Sequence, residues 1–464
     1  MENSEETLHE IHRSETNSVI MANTATYPLH EAVFNRNIKS LSANLRKGCD
    51  VGMKDIHGNT ALHLAVMTGH KECLHLLLAH GAPVKARNLQ GWTALAEAVS
   101  YGDRLIISHL LKKLKLQSRE AMDNRRPQLV EALKQLKDFS MIIRWDFQSW
   151  VPLLSRVLPS DVCHIYKRGS AIRVDTTLIE FSDLKWQRGN ISIIYDGDLL
   201  ADHSFLVLDN DNMVYQRMKY EVRVMNGGTE AEIEEEVDLL MSSDIITATL
   251  PTEDIEFQRA QSGWIFREDR KETVGSFDAE FYEVTGVTVE SRKRREHLSD
   301  EDIAKNKAVL ESISKGTILE GSFQEPVQKK SLEPPPKQDV SWEEYINAVP
   351  GKPPCLGRPI VCKETKKVYK AVVGMCQDFP MDINDLLNIL EIFAPVRHIS
   401  KLRDFIELKL PPGFPVKLDI PLFPTISARV TFEDFQYHTN LSVALFQIPP
   451  GFRKDGKSFG QSKE

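Results

Sequence analysis

The stretch GNTALHLAVMTGH, residues 58–70, has a counterpart on each side of it. TYPLHEAVFNRN begins at Thr26 and GWTALAEAVSYGD begins at Gly91. Leu29, Leu62 and Leu95 fall 33 positions apart, and Leu45 with Leu78, Gly48 with Gly81, Val51 with Val84 and Gly58 with Gly91 keep the same register. A match at this many positions marks an architectural repeat rather than a catalytic loop.

The period and the pattern are those of the ankyrin repeat, a turn and two antiparallel helices stacked into a solenoid. Thr60 and Thr93 stand where an N-cap is needed, and Pro28 stands in a first turn, where its missing N–H costs little. Gly81 suits the left-handed exit of the second helix, KECLHLLLAH. In such repeats the motif histidine ties its helix to the neighbouring loop. His30 and His63 fit that role and Ala96 breaks it, so the third repeat reads as a degenerate end repeat. The turn tips then carry Met53, Asp55, His57, Arg87, Asn88 and Gln90, with Trp92 just before the third motif threonine.

Working outward, residues 1–25 are polar and acidic and are expected to be a disordered leader without the apolar core of a signal peptide. RPQLVEALKQLKDF (126–139) is expected to be one amphipathic helix closing a repeat unit over 26–138. From residue 139 the pattern becomes β-rich. AIRVDTTLIEF, ISIIYDG, SFLVLDNDNMVYQRM and YEVRVM predict antiparallel strands, with DNDN (209–212) as a hairpin turn. FIELKL (405–410), VKLDI (416–420) and ISARVTF (426–432) form a second block, whose prolines fit edges and turns better than central strands. Whether the two blocks share a sheet stays open. LSDEDIAKNKAVLESI, SWEEYINAV and DINDLLNILEIF read as helices, the second opened by a Ser341–Glu344 capping box. A proline-rich linker or loop is expected near 318–340, and residues 449–464 as a polar tail. The fold class is α+β and multidomain: an N-terminal helical ankyrin solenoid, then a β-rich antiparallel domain over 139–448 with inserted helices.

The 464 residues carry a formal net charge of −8, which argues against a general nucleic-acid binder. The six cysteines form no C-x-x-C pair and suggest a reducing compartment. No stretch approaches the length of a membrane span. G-x-S-x-G, H-E-x-x-H, Walker and dinucleotide fingerprints are all missing, so no catalytic residue, metal or cofactor is expected. The basic run SRKRREH (291–297) is read as a solvated linker, and the acidic run TEAEIEEEVDLLMSS (229–243) as a solvated acidic helix or loop.

Three repeats run into MIIRWDFQSWVPLLSRVLPSDVCHIYKRGSAIRVDTTLIEF, LKWQRGNISIIYDG and GWIFREDRKETVGSFDAEFYEVTGVTVESRKRREHLSDED. Together these resemble the ankyrin repeat domain-containing protein 13 family over roughly residues 27–450. The ending FRKDGKSFGQSKE leaves no room for the ubiquitin-interacting motifs of one branch, and the chain is most similar to the C-type branch. The resemblance implies a non-enzymatic, chaperone-like protein, peripheral on the cytosolic face of the endoplasmic reticulum. Such a protein binds the loops or tail of G-protein-coupled receptors and assists their biogenesis and exit. A ubiquitin-dependent adaptor in receptor endocytosis is the alternative, with ubiquitin binding unlikely given the missing motifs, and a lipid-binding or transfer protein is the third reading.

Three surfaces could meet a partner. The acidic run at Glu234, Glu235 and Glu236 complements Lys/Arg-rich receptor loops. The ankyrin tips, with Trp92 partly exposed, offer a short groove for a peptide. The β-rich domain has edges that could accept an added strand.

Overall fold

A computed structural model describes residues 26–149, 158, 160–182, 185–200, 203–218, 230–249, 251, 253–263, 267–315, 328–337, 339–393, 410–423 and 426–454. The predicted leader, the YEVRVM strand, most of FIELKL and the end of the polar tail lie outside these residues.

The repeats form as their sequence dictates. Helix α1 (Pro28–Phe34) carries Pro28 in its first turn, and α2 (Ile38–Arg46) is capped by Asn37 Oδ1, which accepts from Ser40 N–H. The middle repeat supplies α3 (Ala61–Met67) and α4 (Lys71–Ala79). Gly81 adopts φ +82°, the left-handed exit its position requires. The third repeat opens with α5 (Ala94–Tyr101).

The next helix departs from expectation. Rather than starting near residue 126, α6 runs unbroken over Arg104–Gln135, with Asp103 capping its start and Pro127 inside it. It ends before Leu136, and Phe139 already begins a strand. The reason is that α6 serves two cores. Ile106, Ile107, Leu110 and Leu111 bury among the repeats, whereas Leu129 and Leu133 bury under the sheet. At 1.5 Å per residue it is a strut about 48 Å long.

The strands are β1 (Phe139–Ser149), β2 (Ser160–Arg168), β3 (Ala171–Ser182), β4 (Lys185–Asp196), β5 (Phe205–Asp209) and β6 (Val214–Met218). Helix α7 (Glu230–Ser242) precedes β7 (Ile245–Thr249), β8 (Glu256–Arg259), β9 (Gln261–Ser262), β10 (Glu268–Asp269), β11 (Lys271–Val274) and the long β12 (Phe277–Arg294). Helices α8 (Asp300–Lys315) and α9 (Trp342–Ile346), strand β13 (Lys363–Cys376), helix α10 (Ile383–Phe393) and strands β14 (Phe414–Phe423), β15 (Ile426–Tyr437) and β16 (Arg453–Lys454) complete the described elements.

The question of the two β blocks is answered by β1, which pairs with β2 on one side and with β15 on the other. Among the described residues a 14-stranded sheet runs β11-β12-β13-β14-β15-β1-β2-β3-β4-β5-β6-β16, with β7 and β8 also pairing β12. The neighbours are antiparallel except β6 with β16. DNDN does turn β5 into β6: Asp209 Oδ1 accepts from the Asp211 and Asn212 amides. Two prolines expected at edges sit inside β14, Pro415 and Pro421, each at a register irregularity where a ladder donor is not required. One face of the sheet packs on α6 and α10, with Phe379 stacked on Phe414 at a centroid distance of 3.8 Å.

Candidate functional site

The repeats' histidines set the geometry of the tips. His63 Nδ1 accepts from Thr60 N–H (3.1 Å) and pairs with Thr60 Oγ1 (2.9 Å), so its Nε2–H donates to the Trp92 carbonyl at 3.2 Å. Burial pushes its pKa down to about 4, and the ring is the neutral Nε2–H tautomer. His30 makes the same tie to the Asn59 carbonyl at 2.9 Å. Its Nδ1, however, is buried without a partner, because Tyr27 stands where the other repeats have a threonine. In the third repeat the cap survives, Thr93 Oγ1 accepting from Ala96 N–H. The histidine tie reaches 29 residues ahead in the first two repeats. From Ala96 that distance falls inside α6, where no loop carbonyl waits.

With the tips fixed, several of their polar side chains turn inward, while Lys54 and Lys85 stay exposed. Asp55, His57 and Trp92 are buried, correcting the expectation of a partly exposed Trp92. Asp55 and His57 are covered by the segment around α9, and Trp92 by the Arg294 guanidinium. The Tyr345 hydroxyl donates to Asp55 Oδ2 at 2.6 Å and accepts from Asn59 Nδ2 at 2.9 Å. Asp55 Oδ1 accepts the His57 and Asn59 amides. His57 Nε2 donates to the Tyr345 carbonyl (2.9 Å), and its Nδ1 accepts from Gly351 N–H (3.2 Å). Asn88 Nδ2 donates to Asn59 Oδ1 while its own Oδ1 accepts the Gln90 and Trp92 amides. Gln90 Nε2 donates to the Gly351 carbonyl at 3.1 Å, and Arg87 donates to Thr247 Oγ1 at 2.6 Å. Of the tip residues singled out from sequence, Met53 remains exposed. Burial, then the Asp55 charge, holds the Tyr345 phenol far above its usual pKa.

The α9 segment has the chemistry of a bound peptide. Ser341 and Glu344 form the predicted capping box. Its Trp342, Tyr345 and Ile346 then enter the repeats' own core, Trp342 and Tyr345 both against Phe34 at centroid distances of 5.5 Å. An amphipathic turn lying on a repeat surface is helix-in-groove recognition, here made in cis.

The two charged runs are likewise engaged, against the solvated readings given to both. SRKRREH is the end of β12 and the turn after it, and Arg294 is fully buried. Its guanidinium is held bidentately by Glu97 (2.9 and 3.1 Å), contacts Glu296 at 2.6 Å, and lies over the Trp92 ring at 4.9 Å. Burial opposes that charge, but Glu97 and Glu296 more than offset it and raise its pKa. The acidic run becomes α7, whose Ile233, Val237 and Met241 join the repeats' core. Glu234 pairs with Arg104 and Glu236 with Lys115, each at 2.6 Å, and Asp238 also meets Arg104. Glu235 is exposed. The sequence held one sign of this: a lone carboxylate, Glu97, in an otherwise apolar α5 requires a cation once buried. It did not say which cation.

Where this covering segment leaves the tips, a cleft of about 550 Å³ opens between the repeats and residues 351–364. Trp92, Met67 and Leu356 are among the residues lining it.

A solenoid of three repeats, its tips holding a peptide segment and its last helix running under a large antiparallel sheet, defines an ankyrin-repeat protein with a second, sheet-based domain. Comparison with known proteins agrees. A family model for three copies of ankyrin repeats matches residues 29–120, and the ANKRD13 C-terminal model matches residues 173–458. The chain is 58% identical over 436 residues to human ankyrin repeat domain-containing protein 13C, covering 94% of this chain and 79% of that one. It is 57% identical over 434 residues to the 13C protein of Danio rerio, covering 93% and 87%. Human 13B is 34% identical over 425 residues, covering 88% and 67%. The chain belongs to the ankyrin repeat domain-containing protein 13 family.

Proposed function

We propose that the protein is a non-enzymatic, chaperone-like factor that binds G-protein-coupled receptors from the cytosolic side and regulates their biogenesis and exit from the endoplasmic reticulum. The observation that carries this reading is similarity: 58% identity to a 13C protein over 94% of the chain, against 34% to a 13B protein. That places it near the branch for which such a role is implied. No helix among the described residues is long and apolar enough to cross a membrane, and the association proposed with the endoplasmic reticulum is peripheral.

The structure bears on where a client would sit. The ankyrin tips hold the chain's own α9 segment, and Glu234 and Glu236 hold Arg104 and Lys115. A client site distinct from both is therefore favoured. Proximity labelling in cells tests the reading. Enrichment of endoplasmic-reticulum proteins and newly made receptors supports it; enrichment of endosomal ubiquitin machinery instead would favour the adaptor role and overturn it.

A further inference from the structure

The cleft beside α9 combines two properties. The first is apolar surface. Leu89, Val349 and Val361 are 62%, 63% and 77% exposed, with Ile360 also exposed. Leu89 lies against Gly351, and Leu89, Gly351 and Ile360 line the same cleft, so Leu89 and Ile360 share one rim. Exposed aliphatic groups gathered at the mouth of a cleft mark an interaction site.

The second is uncompensated positive charge. Of the cations lining the cleft, Arg294 is matched by Glu97 and Glu296, and Arg292 by Glu364 at 3.0 Å. Arg358 is different. Its Nε donates to the Ser100 carbonyl (3.0 Å) and its Nη2 to the Tyr101 and Glu333 carbonyls. Carbonyls position a guanidinium without neutralising it. Among the described residues neither Arg358 nor Lys352, which also lines the cleft, has a carboxylate partner.

We infer that this cleft is a docking site for a short, extended protein segment that carries both carboxylates and aliphatic side chains. An aliphatic side chain enters toward Trp92, Met67 and Leu356, and a carboxylate meets Arg358 and Lys352. The size is within the range of small-ligand and short-peptide pockets. Exposed Leu89 and Ile360 line the cleft beside the cations, and a small anion would offer them no apolar surface to bury. A basic, membrane-flanking loop is excluded by like charge at Lys352 and Arg358. The inference rests on the protein-binding part of the proposed function, not on the identity of the receptor.

The test uses the full chain and two fluorescein-labelled octapeptides, one alternating Glu and Leu and the other alternating Lys and Leu, followed by anisotropy. The Glu/Leu peptide is expected to bind at least about tenfold more tightly than the Lys/Leu peptide and to weaken with salt. Exposed Lys352→Glu and Ile360→Ser, each shown to keep the wild-type melting temperature, should each lower its affinity by at least about fivefold. Equal affinity for both peptides, no binding of either, or unchanged affinity in both variants would overturn the proposal. Displacement of the peptide by an equal concentration of succinate would also overturn it, in favour of a small-anion site. Because the assay contains no receptor, failure here leaves the cellular reading standing, and failure of the cellular reading leaves this result standing.

Discussion

The phenol of Tyr345 donates to the carboxylate of Asp55 at 2.6 Å across 290 positions of sequence. That bond sits in a closed network: Asp55 also takes the His57 and Asn59 amides, and His57 holds the Tyr345 carbonyl and the Gly351 amide. The ankyrin tips and the α9 segment are therefore one polar core, and the repeats are a structural half of the molecule as much as a binding module.

Tyr345→Phe should destabilise the protein by about 1–3 kcal/mol, since it removes a donor from a buried carboxylate and leaves Asn59 Nδ2 without its acceptor. Chemical denaturation checks this. An unchanged midpoint would mean the tips are solvated.

Arg294 and Glu97 should behave as a coupled pair. Glu97→Leu alone is expected to cost about 3–5 kcal/mol, because it leaves a fully buried guanidinium with Glu296 as its remaining carboxylate. Adding Arg294→Met should recover part of that loss and not all of it, because it leaves the buried Glu296 with the Ser100 hydroxyl in place of its cation. A double-mutant cycle reads the coupling, and additive losses would contradict the pairing.

His63 links stability to pH. Its folded pKa is about 4, below the unfolded value of 6.5, so the unfolded chain takes up the proton first as pH falls. Its contribution is complete above pH 6.5 and is lost between 6.5 and 4, reaching about 3 kcal/mol. Between pH 6.5 and 5, His63→Gln should show a slope shallower by up to about 1.4 kcal/mol per unit than the parent chain. Equal slopes would show that the ring is protonated when folded.

Cutting the chain at residue 138 should yield no independently folded sheet domain. The fragment 139–464 loses Leu129 and Leu133 from under the sheet and bares the faces of Ile233, Val237, Met241, Trp342 and Tyr345. Dye binding to exposed apolar surface and loss of a cooperative melt are expected; a sharp melt equal to that of the whole chain would argue for separate domains.

The repeats were legible because their determinants are local: a cap, a tie and a glycine at fixed spacing in each unit. Strands β3 to β6, β14 and β15 were legible from their β-branched and aromatic runs, and α9 from its capping box, whereas β1, β2, β12 and β13 were not singled out. What the sequence could not disclose lies in long-range pairing. SRKRREH reads as a linker until Glu97, 197 residues away, is seen to hold Arg294. The acidic run likewise reads as solvated until α6 supplies Arg104 and Lys115. Charge is a reliable sign of exposure unless an opposite charge folds onto it, and spacing along one chain does not reveal that. The α6 boundary was missed for a related reason: its first half completes a repeat, its second half packs on the sheet, and no periodicity marks the hand-over.

Amide hydrogen exchange over residues 55–59 and 342–351 of the intact protein tests the central claim most directly. If the ankyrin tips hold the α9 segment in cis, both stretches should exchange slowly and together, and Tyr345→Ala should accelerate both. Rapid exchange across 342–351 while 55–59 stays protected would contradict it, showing tips that stand free of the segment drawn across them.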